Sequence, residues 1–219
     1  MGYEAVIFDN DGVLLSLTSA AAHLDGARAA FESVGVDSPA DEDVEAMSIG
    51  VTVPELESVC ARYGVEPAQF WRARDREVSA AQRAAMRAGE KRPYDDVDAL
   101  DAIDRPLGVV SSNQRATVEF AFDYFGLDRH FETVHAREPT VESLRRKKPE
   151  PYYIHRALEG VGVDEALYVG DSESDVVAAH RAGIDAAFVR RSHTETTTLA
   201  ERPEHEVTGL SGVADIVDG

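Results

Sequence analysis

Short apolar runs alternate with amphipathic stretches along much of this chain. The first run, residues 5–8, is uninterrupted and leads into Asp-Asn-Asp-Gly, which indicates a buried strand followed by a polar turn. After residue 93, runs of four or five apolar residues repeatedly precede stretches with helical spacing. This rhythm predicts parallel β-α units, and hence an α/β fold with a doubly wound parallel sheet. The predicted strands cover residues 5–8, 107–110, 131–135, 166–169, 186–189 and 206–208.

The segment between the first two strands has a different pattern, with helical spacing throughout and no convincing strand. A crossover between parallel strands usually holds one helix, so about 75 helical residues indicate an inserted domain. We expect a core of residues 1–14 and 93–219 and an all-helical insert of residues 15–92. The predicted helices cover residues 19–34, 41–47, 54–63 and 67–88 in the insert, and 95–103, 117–125, 152–158, 173–182 and 210–217 in the core.

The charge of the chain limits the partners that it can have. Its 219 residues include 41 acidic and 22 basic ones, which gives a formal net charge of −19. Such a field repels nucleic acids and anionic membranes, so we expect neither of them as a partner. An anionic substrate would need a local positive site or a bound cation. Only three basic residues are lysines, and this acidic, lysine-poor composition predicts a halophilic source. An acidic protein from a GC-rich genome is the alternative.

Cys60 is the sole cysteine, which excludes an intrachain disulfide, and its place in an apolar helical pattern predicts a core position. The sequence has no apolar run of about 18 residues and no signal-like N-terminal stretch. We therefore expect a cytoplasmic protein, either a monomer or a homodimer.

Polar residues with catalytic chemistry follow three of the predicted strands. Asp9 and Asp11 follow the first strand, Ser111 the second and Asp171 the fourth, while Lys148 lies in a loop before a helix. Each of these alone is typical of a turn or a helix cap. However, the carboxyl ends of parallel strands meet at the edge where open α/β sheets bind ligands. Their shared placement therefore predicts one site.

Together, these residue types suit phosphoryl transfer. Asp9 and Asp171 offer the hard oxygen ligands that Mg²⁺ prefers, usually one or two carboxylates beside substrate phosphate and water. A carboxylate can also act as a nucleophile, and a second one as a general acid or base worth ~10²–10⁴-fold in rate. Ser111 and Lys148 offer a hydroxyl donor and a positive charge to a phosphoryl group.

At these residues the chain resembles the haloacid dehalogenase superfamily, in the helical-cap branch (C1) that includes phosphoglycolate phosphatases and β-phosphoglucomutases. Four motifs occur in the family's order between residues 6 and 189. They are Ile-Phe-Asp-Asn-Asp-Gly-Val-Leu at 7–14, Val-Val-Ser-Ser-Asn at 109–113, Lys-Pro at 148–149 and Val-Gly-Asp-Ser-Glu-Ser-Asp at 169–175. The resemblance implies a Rossmann-like core, a helical cap inserted after the first strand and Mg²⁺ as the cofactor.

The resemblance also implies a role for each motif residue. Asp9 would be the nucleophile and a metal ligand, and Asp11 the acid/base, with its backbone carbonyl on the metal. Asp171 would be a direct metal ligand. The phosphoryl group would be held by Ser111 and Lys148, together with the neighbouring Ser112 and Asn113.

Some motif residues also have a purely structural interpretation. Asp175 would act through water or orient Lys148, or it would only be a first-turn carboxylate favoured by the helix dipole. For Ser172, a role in the fourth motif and a purely structural role as a helix N-cap are equally consistent with the sequence. For Asn113, a helix cap is favoured over a contact with substrate.

The proposed cap carries residues that bear on the reaction. Ser48, Ile49 and Gly50 lie in the loop where relatives in this family read their substrate. The loop has no Arg or Lys, which argues against a second phosphate there and thus against a mutase. Lys91, the only lysine of the cap, lies at its second hinge, which disfavours the Schiff-base chemistry of phosphonatases. Dehalogenases of this family lack the second aspartate of the first motif. Because Asp11 is present, a dehalogenase is disfavoured.

Other charged residues are interpreted as lying outside the site. His23 is expected at the surface of the first cap helix, and Arg92 as a solvated hinge charge. His135 and Arg137 follow a strand, but a position near the site is disfavoured. Glu142, Arg145 and Arg146 form what we interpret as a solvated charge run.

The sequence thus predicts a Mg²⁺-dependent phosphatase that hydrolyses a small phosphorylated metabolite through an aspartyl-phosphate. Phosphoglycolate or a sugar phosphate is the substrate type that the resemblance implies. A sugar-phosphate mutase is the alternative enzyme. In a phospho-acceptor signalling domain, the lysine would be the last of the motifs along the chain and no cap would be present, which argues against that class. The intact aspartates argue against a protein that only binds its ligand without catalysis.

Overall fold

A computed structural model describes residues 2–218, and its centre is a parallel sheet. The strands are β1 (Ala5–Phe8), β2 (Leu107–Gln114), β3 (Thr133–Arg137), β4 (Ala166–Gly170), β5 (Asp185–Val189) and β6 (His205–Val207). Their order is β3-β2-β1-β4-β5-β6, and each neighbouring pair is parallel. The chain starts in the middle and winds outward on both sides, which confirms the predicted doubly wound α/β fold.

Helices connect the strands and fill the predicted insert. The α-helices are α1 (Ala20–Ser33), α2 (Asp41–Ala46), α3 (Val53–Tyr63), α4 (Pro67–Arg87), α5 (Arg115–Phe125), α6 (Val141–Leu144), α7 (Tyr152–Val161), α8 (Glu173–Ala182) and α9 (Leu210–Asp218). Most of the predicted elements are confirmed to within a few residues. Among residues 2–218, no helix combines the length and the apolar composition that crossing a membrane requires.

The structure differs from the sequence prediction in three places. The helix expected before β2 is a 3₁₀-helix, Val97–Ala102. Strand β2 runs on to Gln114, because β3 continues to pair with it after a register shift that follows Ser111. The single turn α6 lies between β3 and α7, where no helix is predicted, and the Thr140 side chain caps its N-terminus.

Strand β1 is buried on both faces of the sheet, as its uninterrupted apolar run predicts. Val6 and Phe8 belong to the cluster that includes residues of α5 and α9, whereas Ala5 and Ile7 belong to the cluster on the other face, with α7 and α8. Alternate side chains of a strand point to opposite faces, so one short strand joins the two halves of the core. Asp9 therefore follows directly from the most enclosed strand of the sheet.

The helices α1 to α4 pack around a hydrophobic cluster that is separate from the two clusters of the sheet and includes Trp71. Helices α1 and α4 approach very closely at Gly26, where an added Cβ would lie 2.7 Å from the Cα of Val78. We propose that residues 15–92 form the cap domain and that the rest of the chain forms the core domain.

Candidate active site

The candidate site lies at the carboxyl edge of the sheet, where β1, β2 and β4 end. The Asp9 amide donates to the carbonyl of Val169 at 2.8 Å, which holds the residue after β1 against β4. Gly12 has φ +87°, and an added Cβ would lie 1.9 Å from Oδ2 of Asp171. Only glycine fits there, because the loop after β1 folds directly onto the residue after β4.

Lys148 is the central cation of this edge. Its Nζ lies 2.6 Å from Oδ1 of Asp9 and 2.5 Å from Oδ1 of Asp175, and it also donates to the Tyr168 hydroxyl at 3.2 Å. Lys148 and both carboxylates are buried. Burial alone would lower the pKa of Lys148, but Asp175 and Asp9 outweigh it and hold that pKa well above its usual value.

Three carboxylates, of Asp9, Asp171 and Asp175, have oxygens within 4.8 Å of one another. Burial raises the pKa of Asp9 well above its usual value, despite Lys148. Burial and the charge of Asp175 raise the pKa of Asp171 to about 7. One lysine among three buried carboxylates leaves negative charge that a cation would neutralise, so this donor set fits a divalent metal ion.

Asp175 differs from the other two carboxylates in its partners. Its Oδ2 accepts from the Ser172 amide at 3.0 Å and from the Ser172 hydroxyl at 2.5 Å, while Oδ1 faces Lys148. Ser172 is thus the N-cap of α8, and Asp175 both completes the capping box and orients Lys148. Asp9 and Asp171 are therefore the better candidates for direct metal ligands.

Asp11 points to a different set of partners, although it is only two residues from Asp9. Its carboxylate forms an ion pair with Lys91 and accepts from Nδ2 of Asn113 at 2.8 Å and of Asn10 at 3.2 Å. Burial raises the pKa of Asp11, but the charge and hydrogen bond of Lys91 outweigh it and hold that pKa below its usual value. The two aspartates of the first motif thus sit in different electrostatic environments.

Sequence reasoning did not assign Lys91 to the site. Its side chain is fully buried at the second hinge of the proposed cap, and its Nζ also donates to Thr18 Oγ1 at 3.0 Å. Thr18 in turn donates to Gln82 of α4, and Gln82 and Asn113 exchange hydrogen bonds at 2.9–3.0 Å. Polar side chains therefore link Asp11 to the cap. The lysine at this polar hinge is the feature of the sequence that could have pointed to the site.

The second motif supplies residues with unequal roles. Ser111 is buried, and its hydroxyl accepts from the Asn113 amide at 3.1 Å. Asn113 was interpreted as a helix cap, and this was wrong: α5 begins after Gln114, and Asn113 bonds to Asp11 and Gln82 instead. Ser112 and Asn113 both line the cavity described below.

His193, which was not predicted as a site residue, follows β5. Its Nε2 lies 2.6 Å from Oδ2 of Asp171. Burial and the nearby charge of Arg191 lower the pKa of His193, which favours the neutral ring. The surrounding stretch of 190–203 is polar and unpatterned, so no periodicity marked it.

A cavity of about 390 Å³ opens beside Asp11 and Lys148 and extends to the cap. Ile49 and Gly50 of the cap loop line it. Ser48 does not: its side chain is buried and its hydroxyl donates to the carbonyl of Glu45 at 2.7 Å. The prediction of this loop as a specificity segment therefore stands as a proposal for Ile49 and Gly50 only.

Two residues that were placed outside the site line the same cavity. His23 is half-buried rather than at the surface, because α1 packs against α4 over the cavity. Arg137 is buried, because β3 begins and ends two residues later than predicted and so carries it to the sheet edge. By contrast, Arg92 is exposed, as predicted.

The family model described as haloacid dehalogenase-like hydrolase matches residues 6–189, which include all four motifs. The chain belongs to this family. The described geometry agrees with that membership, since the motif residues of a haloacid dehalogenase-like hydrolase are brought together at one sheet edge here.

Named relatives of this haloacid dehalogenase-like hydrolase have several descriptions. Pyrophosphatase PpaX of Bacillus velezensis is 31% identical over 126 residues, which cover 56% of this chain and 56% of the relative. Pyrophosphatase PpaX of Oceanobacillus iheyensis is 28% identical over 127 residues, 57% of this chain and 58% of the relative. The chain thus matches little more than half the length of these relatives. A 5'-nucleotidase of Pseudomonas aeruginosa is 23% identical over 99% of this chain and 96% of its own length.

Solved structures share the fold over nearly the whole chain. A predicted phosphoglycolate phosphatase from Haemophilus somnus has a TM-score of 0.67 at 21% identity and covers 98% of this chain and 97% of its own. CbbY from Rhodobacter sphaeroides, in complex with phosphate, has a TM-score of 0.70 at 20% identity and covers 96% of both chains.

We predict that a divalent cation stabilises the protein by binding to Asp171. Mg²⁺ at about 100 times its dissociation constant should add about 2.7 kcal/mol to the free energy of unfolding and raise the melting temperature. Asp171→Asn should lose most of this Mg²⁺-dependent rise, whereas Asp104→Asn, an exposed control, should keep it. Thermal unfolding followed by circular dichroism measures the shift. An equal rise in Asp171→Asn would remove Asp171 from the metal site.

Proposed function

We propose that this chain is a Mg²⁺-dependent phosphatase that hydrolyses a small phosphorylated metabolite through an aspartyl-phosphate. The observation that carries the proposal is that the side chains of Asp9 and Asp11, two residues apart, have different partners. Asp9 faces Lys148 and the other acidic groups of the edge, whereas Asp11 faces Lys91 and Asn113. This difference supports a role toward the phosphoryl group for Asp9 and a role in proton transfer for Asp11.

The metal site would consist of the Asp9 and Asp171 carboxylates and the backbone carbonyl of Asp11. When bound, Mg²⁺ supplies positive charge that draws the phosphate toward Asp9 and offsets the repulsion between the two anions. The Lys148 ammonium and the Ser111 hydroxyl contribute further positive charge and a hydrogen bond to the phosphoryl oxygens. These groups stabilise the charge that the equatorial oxygens carry in the transition state.

In the first step, a carboxylate oxygen of Asp9 attacks phosphorus while the bond from phosphorus to the leaving oxygen breaks. Protonated Asp11 gives its proton to that oxygen, and the alcohol departs. In the second step, ionised Asp11 accepts a proton from water, the water oxygen attacks phosphorus, and the Asp9–phosphorus bond breaks. Phosphate leaves, and Asp11 is protonated again.

The surroundings of Asp11 suit both steps. Lys91 favours the ionised carboxylate, which is the form that accepts a proton from water. A phosphate bound beside Asp11 adds negative charge, which favours the protonated form needed for the leaving group. The cap helices and the loop of Ile49 and Gly50 would enclose the substrate and exclude bulk water.

Hydrolysis of p-nitrophenyl phosphate tests the proposed function. Wild-type protein should turn over this ester with Mg²⁺ and stop when a chelator is added. Asp9→Asn should abolish turnover because the amide cannot form the acyl-phosphate, whereas the exposed control Asp104→Asn should keep it. The assay is repeated from low to high KCl, since the acidic composition predicts a salt-adapted protein. Absence of metal-dependent turnover at every salt concentration would contradict the phosphatase proposal.

We also predict that Lys91 positions Asp11. Lys91→Met should lower kcat by roughly 10- to 100-fold because the Asp11 carboxylate loses the partner that holds its orientation. KM should change less, since Lys91 does not line the cavity. Arg92→Met removes the neighbouring hinge cation, which is exposed, and serves as the matched control. A loss of kcat in Arg92→Met equal to that in Lys91→Met would assign the effect to the hinge rather than to the ion pair.

A further inference from the structure

The end of the cavity toward the cap is lined by cations. Arg74 comes from α4, Arg137 from the end of β3, and Lys147 from the loop that leads to Lys148. Among the described residues that line the cavity, the one carboxylate is that of Asp11, which already pairs with Lys91. A chain with a net charge of −19 thus has a cavity beside the candidate site that is lined mainly by positive charge.

Among the described residues, the carboxylates around these cations neutralise them only in part. Arg137 takes both carboxylate oxygens of Asp75, at 2.6 and 2.8 Å, and Arg74 reaches the same carboxylate at 3.4 Å. The other donors of Arg74 go to the carbonyls of Met47, at 3.0 Å, and Ser48. One carboxylate therefore serves two guanidinium groups.

Lys147 adds a third positive charge with uncharged partners. Its Nζ donates to the carbonyls of Val51 at 2.6 Å and Gly50 at 3.2 Å. Burial and the charges of Arg137 and Arg74 lower the pKa of Lys147. Burial also lowers the pKa of Arg74, to about 10. Asp75 and Glu55 oppose these shifts without cancelling them, and a bound anion would raise both pKa values.

Hydrogen-bonding capacity is also left over in this cavity. Trp71 is 1% exposed and lines the cavity, and its indole Nε1 has no hydrogen-bond partner within residues 2–218. The Nδ1 of His23, another lining residue, is likewise buried without a partner. The guanidinium groups of Arg74 and Arg137 lie 5.1 and 4.7 Å from the Trp71 ring centre. A buried N–H without an acceptor is unfavourable, so the polar groups around this end of the cavity are incompletely satisfied.

We propose that the substrate carries a second anionic group, a carboxylate or a phosphate, and that Arg74, Arg137 and Lys147 bind it at the cap end of the cavity. This inference rests on the proposed phosphatase function and adds the class of substrate to it. The cap loop itself has no basic residue, which predicted weak binding of a second anion there. The structure instead brings Arg74 and Lys147 against the loop carbonyls from other elements.

Paired substrates test this proposal by comparing kcat/KM. The carboxylate arm compares 2-phosphoglycolate with ethyl phosphate, and the phosphate arm compares butane-1,4-diol bisphosphate with butyl phosphate. In at least one arm, the doubly anionic ester should be preferred by about tenfold or more, the scale of one charge-assisted hydrogen bond. The net charge of the chain works against this preference, so it would have to come from the local cations.

Lys147→Met should bring the ratio of kcat/KM between the doubly and singly anionic esters closer to one. This variant is the first choice because Lys147 is only half-buried, so the variant should fold. Arg145→Met removes an exposed cation that pairs with Glu142 outside the cavity, and it should keep the wild-type ratio. Equal kcat/KM values in both arms for the wild type would overturn the second anionic site while leaving the phosphatase function intact.

A binding measurement keeps the proposal testable if no ester is hydrolysed. Phosphonoacetate and ethylphosphonate differ in the second anionic group, and neither can be hydrolysed as an ester. In calorimetric titrations of the wild type with Mg²⁺, the doubly anionic ligand of at least one pair, phosphonoacetate against ethylphosphonate or butane-1,4-bisphosphonate against butylphosphonate, should bind at least about tenfold more tightly, and Lys147→Met should weaken that binding. Equal affinities within both pairs would contradict the proposed site. Failure of turnover with preserved binding would contradict only the phosphatase function.

Discussion

The ion pairs of Lys148 with Asp9 and Asp175 are the interaction on which the site depends. All three side chains are buried, and a buried charge is tolerated only when it is paired. Asp175 is fixed by the start of α8, so it sets where the ammonium lies, and the ammonium then sets the orientation of Asp9. One ammonium faces three clustered carboxylates, those of Asp9, Asp171 and Asp175, which makes the edge receptive to a divalent cation.

A spacing of two residues gives Asp9 and Asp11 different chemistry because the loop after β1 folds back between them. Gly12 permits a conformation in which the loop contacts Asp171, and the carboxylate of Asp11 turns toward the cap. There it meets Lys91, a residue of the hinge through which the chain returns from the cap to the sheet. The carboxylate that we propose as the acid/base is therefore linked to the proposed cap by an ion pair and by hydrogen bonds.

The sequence predicted those features that local pattern controls. The apolar runs and the glycines after helices marked the strands and helices, and the acidic and hydroxyl residues after strands marked the edge of the site. Lys91, Arg74 and Arg137 were missed because their roles arise from tertiary approach. Each lies within or beside an ordinary helical or strand pattern and meets the site only when α4, the hinge and β3 converge. Asn113 was interpreted as the N-cap of a helix because β2 was expected to end before it. The continuation of β2 depends on pairing with β3 and not on the residues of β2 themselves.

The most direct test of the account is to find the phosphoryl group on Asp9. Asp11→Asn should slow the release of phosphate from the aspartyl-phosphate, because the amide cannot accept a proton from water. After incubation with p-nitrophenyl phosphate and Mg²⁺ and an acid quench, mass spectrometry should find one phosphoryl group on the peptide that contains Asp9. A phosphoryl group on another residue, or turnover with no phosphorylated protein at any quench time, would contradict the assignment of Asp9 as the nucleophile.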